Sequence, residues 1–409
     1  MAKSYIKLKI FVNKYFLHTN IFHNFAFCIV HCAFAFTIFT PLLYKDSIMS
    51  TNYGKNINIM IYGGSHDSEI GIVAKGLPKD FRIDLDELYA FMKRRAPGQN
   101  SMSTQRKEPD VPEFLSGVAE GNILTGETVH AVIRNTNQRS SDYSNLTFVP
   151  RPSHADFAAR MKYGENVDLR GGGHFSGRLT APMCIVGGIC LQYLRTQGID
   201  IAAHVYSIGN VCDTPFDLAN VGKTEFEILR KRQELPVLSE QAGEKMRMLI
   251  EEARAEGDSI GGIIECAAVG LPAGLGEHMF DGIENRISGI VFGIPGVKGI
   301  EFGEGFGVSR LRGSENNDPF VTDGKNIRTA TNRAGGVLGG MSTGMPVVFR
   351  GAMKPTPSIY KEQDSVDMVS MKPVKLQIKG RHDPCIVLRA LPVFEAAAAI
   401  AVYDLLSDK

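Results

Sequence analysis

Residues Asp168 to Thr180 read DLRGGGHFSGRLT, three consecutive glycines with an imidazole, a hydroxyl and two guanidiniums around them. Glycine loses more chain entropy on ordering than any other residue, so three together imply positive φ or main chain pressed against another group. His174, Ser176 and Arg178 could hold an anion or move a proton beside main-chain N–H groups in that setting. The run lacks the G-x-G-x-x-G spacing of a dinucleotide fingerprint, and no Walker loop occurs in the chain.

Other polar clusters share this glycine- or proline-framed character. In Tyr62–Asp67 (YGGSHD), Ser65 and His66 follow two glycines at a strand end. That suits an anion met by side chain and backbone together, and equally suits a solvated hairpin. Arg94–Gln99 (RRAPGQ) and Gln105–Asp110 (QRKEPD) place four cations around a Pro-Gly turn. Planar guanidinium forks there would bind carboxylate or phosphate, although such runs are more often solvated helix ends. Arg151–Asp156 (RPSHAD) sets His154 near a helix start, where an imidazole either transfers a proton near neutral pH or only takes part in capping. Finally, Ala334–Gly344 is glycine-rich, Lys354–Ser358 reads KPTPS and Gly380–Pro384 reads GRHDP. Lys354, Thr356 and Ser358 suit a phosphate tail, and Asp383 beside His382 suits an oriented proton acceptor.

These groups need a scaffold, and the composition supplies one. The chain has 409 residues, 44% of them hydrophobic, and a formal charge of +1. A nucleic-acid-coating protein would be strongly basic, so any anion site must be a local cluster of Arg and Lys. Seven scattered cysteines without CxxC pairs fit neither a disulfide framework nor a zinc module, and point to a reducing cytoplasm. Periodicity predicts strands at 55–62, 70–77, 129–134, 261–269, 290–294 and 345–353. It predicts helices at 84–95, 154–163, 181–197 and 390–406, with two more inside 225–256 broken near Pro236. Such irregular interleaving favours α+β over a regular βαβ winding, and 355–372 reads as a short loop rather than a domain linker.

Residues 1–48 do not match the rest. Ile21 to Leu43 is apolar and preceded by lysines, the pattern of a membrane anchor, but Asn24, two histidines and Pro41 weaken it. Met49 opens a clean soluble sequence, so 1–48 is read as an extension outside the domain, from a misassigned start or an anchor. Membrane contact is expected only if that segment is made.

From residue 53 to about 408 the chain resembles the chorismate synthase family. The resemblance rests on the order of Ser65-His66, RRAPGQ, QRKEPD, SGVAEG, NTNQRSSDY, RPSHAD, KYG, the RGGG run, AGGVLGG, KPTPSI and GRHDPC. It implies an α+β fold, a β-α-β sandwich forming a single large domain over 49–409, usually as a homotetramer. It also implies reduced FMN as cofactor and a trans-1,4 elimination of phosphate from 5-enolpyruvylshikimate-3-phosphate, without net redox change. By position, His154 would sit beside the flavin, Ser65 and His66 would face the substrate phosphate, and Asp383 would relay a proton. Flavin contacts would come from His174, Phe175, Ser176, Gly339, Lys354, Pro355, Thr356, Pro357, Ser358 and Arg381. Substrate contacts would come from Arg95, Arg151, Ser176 and Arg178, and an NADPH-linked position falls on Arg95. Arg95, Arg151, Arg178, Lys354 and Arg381 are then expected to form a ring of countercharge around the ligands.

Four departures from the family pattern stand out. Gly64 replaces a Glu and Asp67 a Gly, Ser153 replaces a Gly, which is harmless if φ is negative there, and Ser101 replaces a second NADPH-linked Arg. They leave two competing readings: a flavin-binding NAD(P)H-dependent reductase, and a family member without catalytic activity.

Overall fold

Five strands form a first antiparallel sheet: β1 (Ser50–Tyr53), β2 (Asn58–Gly63), β3 (Glu69–Lys75), β4 (Glu113–Ser116) and β5 (Val129–Arg134). Their spatial order is β1-β2-β3-β5-β4. A second antiparallel sheet contains β6 (Asp200–Ile208), β7 (Val211–Cys212), β8 (Gly262–Val269), β9 (Val297–Phe302) and β10 (Val347–Met353), in the order β9-β10-β8-β6-β7. This computed structural model describes residues 49–98, 102, 108–135, 148–232, 234–378 and 382–408. The extension 1–48 and Arg381 therefore lie outside the described residues, as does Ser101. Residues 49–409 cluster as one unit. Among the described residues no helix is long and apolar enough to cross a membrane.

The helices are α1 (Leu85–Arg95), α2 (Asp156–Tyr163), α3 (Thr180–Thr196), α4 (Lys223–Lys231), α5 (Glu240–Ala255), α6 (Ile283–Phe292), the single turn α7 (Gly313–Asn316) and α8 (Val387–Leu406). Of these, α3 and α8 lie between the sheets. Helix α3 packs on β3 and β5 of the first sheet and on β6 of the second, while α8 packs along α3 and on β6 and β8. The architecture is thus the β-α-β sandwich. A helix that is apolar on every side belongs in an interior. In α8 only Arg389 and the terminal Leu406 escape full burial. Two acids on α8 fasten it: Glu395 takes a two-pronged bond from Arg94 of α1 at 2.6 and 2.9 Å and a third from the Ala203 amide at 3.1 Å. Asp404 accepts the amides of Lys55, Asn56 and Ile57 at the entry to β2, with Arg286 of α6 at 2.6 Å.

Most predicted elements appear close to their expected bounds. The exception is 290–294, expected as a strand. Ile290 to Phe292 closes helix α6 and the strand follows at Val297–Phe302. A five-residue apolar run reads alike as buried helix or buried strand, and α6 presents Ile283, Ile287, Ile290 and Val291 to the core at helical spacing.

Gly187 and Gly188 sit in the interior of α3, where glycine costs about 1 kcal/mol relative to alanine. The compensation is close approach. A Cβ at Gly187 would overlap Ala396 of α8, and one at Gly188 would lie 2.6 Å from a Leu88 methyl of α1. Gly187→Ala is therefore expected to destabilise the fold by about 1–3 kcal/mol despite its better helix propensity. Urea unfolding measures this, and an unchanged or raised midpoint would contradict the packing argument.

Candidate functional site

The glycine run forms a tight turn across Arg170–Phe175, with φ of 60°, 100° and 54° at Gly171, Gly172 and Gly173. An L-residue in that region costs roughly 1–2 kcal/mol, so three in succession exclude anything but glycine. Side-chain space imposes the same choice. A Cβ at Gly171 would strike the His66 imidazole, and one at Gly172 would sit 3.4 Å from Nε2 of His154. The run thus passes between two imidazoles contributed by distant parts of the chain. Ser65 locks the β2–β3 turn onto it: its amide donates to Gly173 O at 3.1 Å and its hydroxyl to Arg170 O at 3.0 Å.

His174, expected at the flavin, bonds within the protein through both ring nitrogens. Nδ1 donates to Gly63 O at 2.8 Å, which leaves Nε2 to accept the Thr51 hydroxyl at 2.7 Å. Both ring nitrogens therefore tie the glycine run to the first sheet. Phe175 lies near the ring of Tyr163, 6.1 Å between centroids.

Around His154 a compact polar cluster forms. Asp156, the first residue of α2, accepts Arg151 Nε at 2.8 Å and Arg151 Nη2 at 2.8 Å, and its Oδ1 lies 2.7 Å from His154 Nδ1. Arg151 Nη2 is also 3.1 Å from that nitrogen, but the ionised carboxylate can only accept, and at 2.7 Å it is the closer partner of Nδ1. The carboxylate thus selects the tautomer with the proton on Nδ1, leaving the Nε2 lone pair beside Gly172. Burial, assisted by the charges of Arg151 and Lys354, holds the His154 pKa below the ordinary histidine value against the opposing pull of Asp156. Arg151, expected to bind substrate, is buried and bonds Asp156 beside this pair. Lys354 donates to the Ser153 carbonyl.

A cavity opens at the ends of three helices: the C-terminus of α1 and the N-termini of α3 and α8. Two long helices thus direct their positive ends toward it, a setting that favours an anion. Its polar wall includes Arg95, Ser176, Arg178, Thr356, Asp383 and Arg389. Its apolar wall comes from Ile294, Met353, Ile386 and Val393. Arg95 is spent within the protein, with Nε to Thr180 Oγ1 at 3.2 Å, Nη1 to Asp110 Oδ2 at 3.0 Å and Nη2 to Gly177 O at 2.6 Å. Burial and the neighbouring Arg389 charge lower its pKa to about 10. Arg178 bonds Asn135 Oδ1 at 3.1 Å through Nε, and Asp110 through Nη1. Its Nη2 is buried and has no hydrogen-bond partner among the described residues, and neither has Thr356 Oγ1. A buried donor left in this state costs about 1–3 kcal/mol, or more when charged.

Asp383 accepts Arg389 Nη1 at 2.5 Å. Arg389, Asp110 and Asp156 had no site role in the sequence reading. The signal for Arg389 is that it is the one cation in a helix whose other charged residues are Glu395 and Asp404. Of the four described cations expected around the ligands, Arg95 and Arg178 line the cavity and Arg151 and Lys354 lie around His154, with the glycine run between. Pro355, Pro357 and Ser358 flank Thr356 without lining the cavity, and Gly339 lies apart in the turn of the Val337–Leu338 and Met341–Ser342 ribbon. Asp67, expected beside a phosphate, is exposed.

Together these features define a class: α+β sandwich proteins with a basic, half-apolar cavity at the ends of their central helices. The chain belongs to the chorismate synthase family, whose family model matches residues 57–406. It is 48% identical over 369 residues to a chorismate synthase of Lancefieldella parvula, spanning 88% of this chain and 97% of that one. To the chorismate synthase of Thermococcus kodakarensis it is 43% identical, over 86% of this chain and 96% of the relative. A crystal structure of chorismate synthase matches with TM-score 0.67 and 27% identity, covering 87% of this chain and 93% of that one.

Ser153 has φ 57°, so the condition under which the serine would be harmless, a negative φ, is not met. Ser153→Gly should raise stability by about 0.5–1 kcal/mol, the relief of a left-handed backbone less the added freedom of the unfolded chain. Chemical denaturation reads this, and a loss of stability would refute it. The His154 environment gives a second expectation. Its imidazole should titrate below the 6.5 of a free histidine, and Asp156→Asn should move that titration lower still, because the carboxylate opposes the shift. Histidine NMR across pH 4–8 (roughly two units either side of the free value) tests both; an upward movement would contradict the assignment.

Proposed function

We propose that this protein converts 5-enolpyruvylshikimate-3-phosphate to chorismate and phosphate by 1,4-elimination, with reduced FMN as cofactor. The observation that carries the reading is Arg178 Nη2, a cationic donor without a hydrogen-bond partner among the described residues, whose side chain is only 4% exposed, in a cavity also lined by Gly171, His382 and Asp383. Family membership supplies the identity of the substrate, and the donor set is consistent with it.

The residues present suit the flavin: Thr356 Oγ1 is an unmet polar atom, and Ile294, Met353, Ile386 and Val393 give a ring system apolar contact. When bound, reduced FMN would supply the electron density that eases departure of phosphate and would take up the hydrogen lost from carbon. In the elimination a C–O bond and a C–H bond of the substrate break, a second ring double bond forms, and phosphate leaves with the C–O electron pair. Arg178 supplies fixed positive charge where that charge develops, a contribution of about 3 kcal/mol for one well-placed donor. His66, across Gly171, is placed to give a proton to the departing oxyanion. His154, neutral with its lone pair on Nε2, holds or returns a proton beside the flavin, and Asp383, oriented by Arg389, serves as the relay on the opposite side.

Arg95 makes three bonds inside the protein, which speaks against its use as an NADPH anchor and against the reductase reading. We further propose a cytoplasmic homotetramer. Exposed Phe280, Phe306 and Ile327 supply apolar surface for it, and sedimentation as a monomer would exclude that state.

An anaerobic assay with chemically reduced FMN and 5-enolpyruvylshikimate-3-phosphate should yield chorismate and phosphate in equal amounts. His154→Ala and Asp383→Ala should each lower turnover at least tenfold, roughly the lower end of a general acid–base contribution, with the fold retained. Flavin binding without product would defeat the proposal, and NADPH oxidation without added reductant would favour the reductase.

A further inference from the structure

We propose that Asp110 is a positioning residue for the anion site, fixing the Arg178 guanidinium so that its one unbonded nitrogen faces the cavity. The inference rests on the reading that this cavity takes an anionic substrate.

Asp110 follows Pro109 and is only 1% exposed, with its backbone in the left-handed region at φ 51°. Aspartate tolerates that conformation better than most residues, but it persists only where the surroundings dictate it. Here they do. Oδ2 accepts Arg95 Nη1 at 3.0 Å, and Oδ1 accepts Arg178 Nη1. Arg95 is immobilised in turn by Thr180 and the Gly177 carbonyl, at the start of α3. A chain of contacts therefore runs from the α3 N-terminus through Arg95 and Asp110 to Arg178.

Its geometric effect is on the last group. A guanidinium is planar and rigid, so two bonded nitrogens determine the direction of the third. Asn135 holds Nε and Asp110 holds Nη1, and Nη2 is left buried without a partner. Electrostatics supports the same role. Arg95, Arg178 and Arg389 lie close enough to influence Asp110 or one another, and adjacent guanidiniums would separate without a carboxylate between them. Burial pushes the Asp110 carboxyl up, but the Arg95 and Arg178 charges outweigh it and hold the group ionised.

The test is a double-mutant cycle read by binding of inorganic phosphate, measured calorimetrically on the full chain at constant ionic strength without flavin. Asp110→Asn should weaken phosphate at least tenfold in the native background and less than twofold in an Arg178→Ala background. Equal losses in both backgrounds would overturn the proposal, because Asp110 would then act independently of Arg178. Tighter binding would overturn it too, showing that the carboxylate is only a competing charge. Absence of phosphate binding by the unmutated protein would likewise overturn it.

If Asp110→Asn does not fold, Asp110→Glu keeps the charge and shifts it by one methylene. It should raise KM for 5-enolpyruvylshikimate-3-phosphate more than tenfold while kcat changes less than threefold. A folded Glu variant with KM within twofold of the native value would contradict positioning. Intact phosphate coupling without chorismate formation would remove the functional reading and leave the positioning claim standing.

Discussion

Guanidiniums buried in the middle of a protein must meet negative charge, and this requirement organises the structure. An uncompensated buried ion costs several kcal/mol even after relaxation. Arg94 is satisfied by Glu395, Arg286 finds Asp404, and Arg350 bonds Glu265 at 2.8 Å. At the cavity, Arg178 Nη2 has no hydrogen-bond partner among the described residues. Arg95, Arg178 and Arg389 face Asp110 and Asp383, with the positive ends of α3 and α8 beside them. Helix ends and guanidiniums together make this a setting that favours an anion.

Small residues allow that core to close around the charges. Gly187 admits Ala396, Gly188 admits Leu88, and Gly351 of β10 lies against the Phe394 ring. The same economy of volume operates at the site itself, where Gly171 and Gly172 let His66 and His154 approach one strip of main chain from different sides. His66 comes from the first sheet, His154 from the start of α2, and the glycine run leads into α3. The imidazoles therefore owe their spacing to backbone conformation more than to each other.

Much of this was legible in the residue order. Helix α8 could be recognised because ALPVFEAAAAIAVYDLL has no polar face and so had to be interior. The clusters around Ser65-His66, His154 and the triple glycine were visible because glycine and proline frame them. What could not be seen was the assignment of partners. His174 and Arg151 have the chemistry of ligand-binding groups, but their bonds go to Gly63, Thr51 and Asp156, which only the folded chain brings within reach. Ser153 shows the same limit in the backbone, since nothing local announces a left-handed serine. Asp110 closes the motif QRKEPD, and only the folded chain brings its carboxylate between Arg95 and Arg178.

The central claim is that Arg178 Nη2 awaits an anionic group of the substrate. A crystal structure of the protein with oxidised FMN and 5-enolpyruvylshikimate-3-phosphate tests it most directly. The account predicts a substrate phosphate or carboxylate oxygen within hydrogen-bonding distance of Arg178 Nη2, with the flavin ring against the apolar wall of Ile294, Met353, Ile386 and Val393. Substrate bound elsewhere, with that nitrogen still unpartnered, would contradict it.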